Sequence, residues 1–157
     1  MTLLGHAAPD FELKDDQGDV FKLSQALQQS AVMLVFYPGD FKPVCTRQLC
    51  SYQDAYDRFR KYGVTPVGIS FNSGGEHQKF KDAYGISYPL LSDPDKKVFR
   101  EYQVTSLFML GGSTRAVFVV SKQGRVLYRH VEATTVTRRK PEELIAALDL
   151  LRIKGSL

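Results

Sequence analysis

The stretch "AVMLVFYP", residues 31–38, constrains the fold more than any other part of the chain. Its residues from Ala31 to Tyr37 are all apolar, with no polar residue alternating among them. A strand made from such a run must be covered on both faces. "VTPVGISF", residues 64–71, reads as a second buried strand. Between and after these runs come segments with helical spacing. Leu49, Tyr52, Tyr56 and Phe59 continue from Cys45 to a stop at Gly63, and "GEHQKFKDAYG" reads as a helix ending near Gly85. "SYPLLSD" is a short extended segment, followed by "PDKKVFREYQV", a helix with Pro94 at its start. "RAVFVVSKQGRVLYRHV" alternates around Gln123-Gly124 as a hairpin, and "KPEELIAALDLLRIKG" reads as a last helix with Leu144, Leu148 and Leu151 on one face. At the N-terminus, "FELKDDQGDVFKLSQAL" predicts a β-hairpin around Asp-Gln-Gly-Asp and then a helical turn capped at Ser24. The fold class is therefore α/β, a central mixed sheet flanked by helices on both faces.

The chain has 157 residues, the size of one domain, and residues 1–157 are read as a single unit. A net charge of +4 raises nucleic acid as a partner, but the basic residues are scattered. The one dense run, Arg138-Arg139-Lys140, sits beside Pro141 and reads as a solvated loop, so no nucleic-acid partner is expected. The longest apolar run is too short to span a bilayer, and no membrane partner is expected. The N-terminus lacks a charged segment followed by a long apolar one, which leads us to expect no signal peptide and a cytoplasmic protein. In that compartment paired cysteines are more often catalytic or metal-binding than structural. The two cysteines stand at C-x4-C, and His6, His77 and His130 are isolated, so neither a metal nor another cofactor is expected.

The two cysteines lie in "PGDFKPVCTRQLC", residues 38–50. Cys45 follows a strand end and a turn with Pro38, Gly39 and Pro43, and it stands at the beginning of a helix. Unpaired N–H groups and the positive end of the helix dipole stabilise a thiolate there. Lys42 and Arg47 are cations close in sequence. A free thiol is only about 3% ionised at neutral pH, so this setting is where a nucleophile belongs. Cys50 is five residues further on. In an intact helix that spacing separates the Cα atoms by roughly 8–9 Å, whereas a disulfide tolerates about 7 Å. If the two form a bond, the first turn or two must unwind, so the spacing predicts a redox cycle coupled to local unfolding. The other reading is two inert buried cysteines.

Together these segments resemble the peroxiredoxins, most closely the peroxiredoxin Q or bacterioferritin-comigratory subfamily. "APDFEL", "VMLVFYPGDFKPVCTRQLC", "YGVTPVGIS", "FKDAYGISYPLLSDPDKKVFREYQV" and "TRAVFVVSKQGRV" stand in family-like order, and the C-x4-C pair in one helix is the subfamily mark. The resemblance implies a thioredoxin-like fold and thiol-dependent reduction of hydrogen peroxide and organic hydroperoxides. Cys45 matches the peroxidatic cysteine, which becomes a sulfenic acid. Cys50 matches the resolving cysteine, which closes an intramolecular disulfide for a thioredoxin- or glutaredoxin-like reductant to open. Arg115 matches the arginine that stabilises thiolate and peroxide, and Pro38 and Pro43 match the prolines that shape the pocket. A monomer or weak homodimer is expected.

The sequence departs from the family pattern at the site. The usual Pro-x3-Thr-x2-Cys has Lys42 at the Thr position, and lysine donates but cannot accept a hydrogen bond. Lys42 either acts as a point charge in the pocket or swings into solvent. Gln48 stands where this branch usually carries Glu, and Val44 replaces a usual Gly. Phe41 and the pair Phe108-Met109 either line a peroxide or dimer surface or belong to the core. Gly74-Gly75 and Gly111-Gly112 lack phosphate-loop spacing and read as turns. Asp93 and Asp95 around Pro94 read as a turn and helix cap, and Asp15, Asp16 and Asp19 as a hairpin turn. Two alternatives stand beside the peroxidase: a thioredoxin-fold peroxide sensor, and a thiol–disulfide oxidoreductase, which should show C-x2-C.

Overall fold

A computed structural model describes residues 2–104, 115–132 and 138–157. Phe108-Met109 and Gly111-Gly112 lie outside the described residues. In chain order the elements are β1 (Glu12–Lys14), β2 (Val20–Lys22), α1 (Leu23–Ala26), β3 (Ala31–Phe36), α2 (Pro43–Asp54) and α3 (Tyr56–Lys61). Then come β4 (Val64–Ser70), α4 (Gly74–Tyr84), β5 (Leu90–Ser92), α5 (Lys97–Glu101), β6 (Ala116–Val120), β7 (Val126–Val131) and α6 (Pro141–Ile153). The described strands form one mixed sheet in the order β2-β1-β5-β4-β3-β6-β7. β3, β4 and β5 are parallel, and the remaining pairs are antiparallel. No helix among the described residues is long and apolar enough to cross a membrane.

The continuous apolar run behaves as its composition requires. All six residues of β3 are buried. Met33 and Val35 face one apolar layer, with Leu49 and Tyr52 of α2 and Leu144 and Leu148 of α6. Val32, Leu34 and Phe36 face the other, with Leu23 of α1 and Val98 and Phe99 of α5. β6 divides in the same way, Val117 and Val119 against Ala116, Phe118 and Val120. The sheet is thus sandwiched between two helical layers, and the cysteine helix lies in the first.

Four local readings are corrected. Gly74-Gly75 is not a turn but the first two residues of α4, whose start is set by the cap at Ser73. The short helix α1 begins at Leu23 with Lys22 preceding it and no side-chain cap. The N–H of Ser24 is taken instead by the Asp10 carboxylate at 2.9 Å, a partner distant in sequence. Pro94 does not start a helix, because Lys96 is left-handed and α5 begins only at Lys97. Asp93 caps it, accepting the N–H groups of Val98 and Phe99 at 3.0 Å each. The helix from Cys45 does not run on to Gly63 but breaks at Ala55 into α2 and α3. The α4 boundaries follow from its ends: Ser73 and Glu76 form a reciprocal capping box, and Gly85 closes it with φ of 66°.

Gly68 in β4 makes room for the site. A Cβ there would meet Leu90 Cδ2 at 2.6 Å and Tyr37 Cε1 at 3.1 Å. The Gly68→Ala variant should therefore lose about 1–3 kcal/mol of stability through overpacking. Chemical denaturation read by circular dichroism checks this, and an unchanged midpoint would show that the layer under Tyr37 yields freely.

Candidate active site

β3 ends at Phe36, and residues 37–42 carry the chain over the sheet edge into α2. Pro43 opens that helix, where its missing N–H is no loss. The ladder starts with the Thr46 N–H on the Lys42 carbonyl at 2.8 Å. Lys42, at the capping position, gives the helix no side-chain cap. Cys45 is the third helical residue, so its sulfur belongs to the turn whose N–H groups lack helical acceptors. It is a free thiol without solvent exposure.

The side chain that meets the sulfur comes from another strand. Arg115 immediately precedes β6, is itself buried, and donates from Nη2 to Cys45 Sγ at 3.1 Å. Phe36 of β3 pairs with Ala116 of β6, which puts Arg115 level with the residue where the chain turns toward α2. The guanidinium aims an N–H donor at the sulfur within a buried layer, and so at the place where an approaching oxygen would react.

The other residues named from the sequence are less concentrated. Pro38 is half-buried in the loop, and Pro43 is exposed at the helix start. Lys42 is exposed, and its aliphatic stem lies along Gly39, where a Cβ would come within 3.3 Å of Lys42 Cε. Arg47 is exposed and turns back on its own helix, with Nε 3.4 Å from the Pro43 carbonyl. Gln48 is buried and donates from Nε2 to Tyr52 Oη at 3.1 Å, while Tyr52 donates to the Arg139 carbonyl at 2.6 Å. The Oε1 of Gln48 has no partner among the described residues. Phe41 is a surface residue, 51% exposed, resting edge-on against Phe80.

Cys50 is a free thiol, partly buried. Burial pushes its pKa up from the ordinary thiol value, and the neighbouring Asp54 carboxylate adds to this. The second half of α2 is held firmly around it. Tyr88 donates to the Leu49 carbonyl at 2.7 Å, and the N–H of Ser87 donates to Gln53 Oε1 at 2.8 Å.

Sequence reasoning missed a buried group beside the loop. Tyr37 donates to Asp40 Oδ1 at 2.6 Å, and His77 Nδ1 lies 2.6 Å from Asp40 Oδ2. His77 Nε2 lies 3.0 Å from the Leu91 carbonyl. The available signal was the spacing of His77 and Phe80, which puts both on one buried face of α4.

These elements can be compared with known proteins. Residues 4–129 match the AhpC/TSA family. The chain belongs to that family. It is similar to the chloroplastic peroxiredoxin Q of Oryza sativa subsp. japonica, 37% identical over 124 residues, covering 79% of this chain and 57% of that protein. Its similarity to the chloroplastic peroxiredoxin Q of Arabidopsis thaliana is 38% over 122 residues, covering 78% and 56%. The chain thus spans little more than half the length of these curated relatives. Among solved structures, the peroxidoxin BcpB of Mycobacterium tuberculosis superposes with a TM-score of 0.83 at 30% identity, covering 98% of both chains. The peroxiredoxin Q of Xanthomonas campestris gives 0.79 at 26%, covering 89% of this chain and 90% of that one. The mixed sheet and its helical layers are the thioredoxin-like fold of such AhpC/TSA members.

The raised Cys50 pKa has a measurable sign. A higher pKa leaves less thiolate at a given pH, so alkylation of Cys50 in the Cys45→Ser protein should follow a pH profile above that of a free cysteine. Asp54→Asn should move the profile to lower pH. Mass spectrometry of the alkylated protein reads both, and an unmoved profile would remove Asp54 as a cause.

Proposed function

We propose that this chain is a thiol-dependent peroxidase that reduces hydrogen peroxide and organic hydroperoxides. The observation that carries the proposal is the bond from Arg115 Nη2 to the sulfur of a buried Cys45 at a helix start. In the proposed cycle the Cys45 thiolate attacks one peroxide oxygen. The O–O bond breaks, the sulfur becomes a sulfenic acid, and the other oxygen leaves as an alkoxide or hydroxide that takes a proton. Donors already aimed at the reacting centre stabilise this developing negative charge without reorganising. Cys50 sulfur then attacks the sulfenic sulfur, a disulfide forms and water departs. A dithiol reductant of thioredoxin or glutaredoxin type restores both thiols and is itself oxidised to a disulfide.

The resolving step requires α2 to open, because an intact helix holds the two cysteines too far apart. Bonds from Tyr88, Ser87 and the Arg139 carbonyl grip the half that carries Leu49, Tyr52 and Gln53. The first turns should therefore unwind, bringing Cys45 to Cys50. Both cysteines belong to one chain, so the cycle needs no second copy, consistent with a monomer or weak homodimer. A reducing compartment suits two thiols that must be regenerated; we propose the cytoplasm, although the plant relatives named above are chloroplastic.

Rapid mixing of the reduced protein with one equivalent of hydrogen peroxide, followed by quenching and intact mass, tests the cycle. The expected product has lost two hydrogens, forms far faster than a free thiol reacts, and is absent in Cys45→Ser and Cys50→Ser. Arg115→Met should slow the first oxidation by roughly 10²–10³-fold, the usual effect of losing one directed donor. Oxidation at a free-thiol rate in the wild-type protein would sink the proposal and favour the sensor or oxidoreductase.

A further inference from the structure

The Tyr37–Asp40–His77 group is fully satisfied, wholly buried, and not used by the chemistry above. Neither Asp40 nor His77 has any side-chain exposure. The Leu91 carbonyl can only accept, so Nε2 of His77 carries a hydrogen. At 2.6 Å, Nδ1 and the carboxylate oxygen need a proton between them, since otherwise two lone pairs would face each other. The aspartate and histidine therefore share one proton and are neutral as a unit, which is how a buried pair of this kind avoids an uncompensated charge. The hydroxyl of Tyr37 occupies the other carboxylate oxygen, and burial together with Asp40 pushes its pKa well above the ordinary phenol value.

The same residue is fixed by its backbone. The N–H of Asp40 donates to Asn72 Oδ1 at 2.7 Å, and Asn72 in turn donates to Glu76 Oε2 at 2.7 Å. Each of these ties runs to Tyr37 just past β3, to α4 or to the turn between β4 and α4, and none runs to α2. Phe41, the next residue, has φ of 64°. That left-handed conformation is disfavoured for a phenylalanine and persists only where the surroundings impose it. Its ring rests on Phe80 and Tyr84 of α4. Lys42 and Pro43 follow at once, so the direction in which α2 starts is set by how Asp40 and Phe41 are held.

We propose that Asp40 and His77, with Tyr37, are positioning residues for Cys45: they hold residues 38–42 in the strained form from which α2 starts, and so set the balance between the intact helix that reacts with peroxide and the unwound helix that forms the disulfide. The inference rests on the two-cysteine peroxidase reading. Asp40 stays with the sheet and α4 when the first turns open, which puts the hinge at Phe41 and Lys42, where left-handed strain is released. Loosening Asp40 shifts the balance toward the unwound form. Peroxide attack then slows, and less Cys45 is carried on to sulfinic acid at excess peroxide, because the sulfenic acid meets Cys50 sooner.

The test compares Asp40→Ala with Asp40→Asn in the full chain. An asparagine can still accept from Tyr37 and donate to His77 Nδ1, so it should restore what alanine removes. In the reduced protein, hydrogen exchange at the amides of residues 46–48 should quicken about tenfold in Asp40→Ala, in line with loss of a buried hydrogen bond. The amides of α6 should not change. The sulfinic yield at excess hydrogen peroxide should fall in the same variant, and Asp40→Asn should match the wild type in both readouts. If Asp40→Ala does not fold, Tyr37→Phe removes one bond at constant shape and should move both readouts in the same direction. A wild-type protein that forms no disulfide overturns both readings. One that does, with exchange and sulfinic yield unmoved, or with α6 loosened as much as α2, overturns this inference alone, as does an asparagine variant no better than alanine.

Discussion

The site depends on one contact across the sheet, the guanidinium of Arg115 on the sulfur of Cys45. The two residues lie on separate elements, and the register of β3 against β6 sets the distance between them. With Phe36 opposite Ala116, Arg115 shares its face with Val117, the face on which Tyr37 and Cys45 are packed. A slip of one residue would send the guanidinium to the opposite layer, among Phe36 and Phe118. The apolar residues that fill both layers therefore fix the chemistry as well as the fold, because a one-residue slip would bury a charge in hydrocarbon. This is a long-range constraint on a site whose nucleophile is determined locally.

That division explains what could be read from the chain. Buried strands and the hairpin around Gly124 follow from runs and punctuation within a few residues, whereas the order of the strands in the sheet comes only from the structure. Helix ends were less legible where a distant group replaced the local one. Ser24 has the chemistry of a cap, but the carboxylate of Asp10 reaches its N–H first. Pro94 suits a helix start, yet a left-handed Lys96 intervenes and Asp93 does the capping. The break at Ala55 leaves Tyr52 and Phe59 in ring contact at 6.1 Å, so their sequence spacing alone could not reveal it.

Within the site the same rule holds. Cys45 announces itself through Pro43 and the helix that begins there, all within three residues. Arg115 is 70 positions away, and only the resemblance to a family pointed to it. Lys42 and Arg47 looked like partners of the sulfur because they are near in sequence, but both are exposed, one along Gly39 and the other on its own helix. Asp40 and His77 gave no sequence signal as a pair, because 37 positions separate them and a lone histidine on an apolar helix face is an ordinary core residue.

The bonds around α2 are unevenly distributed, and this gives the proposed cycle a direction. Downstream of Cys45, the helix is tied to the body by Tyr88, Ser87 and the Arg139 carbonyl, all acting on neutral groups that peroxide does not alter. Upstream, the side chain of Cys45 is tied by the bond from Arg115, and in the thiolate that the proposed cycle requires, that bond is charge-assisted. Converting that sulfur to a sulfenic acid removes the charge and weakens this tie while leaving the others untouched. Cys50, with its pKa raised by burial and Asp54, stays a thiol while the helix is whole. Unwinding exposes it to water and lifts part of the burial that kept it protonated. Oxidation at one end of the helix thus loosens the turn that must move and prepares the second cysteine, so the order of the two steps follows from where the charges sit.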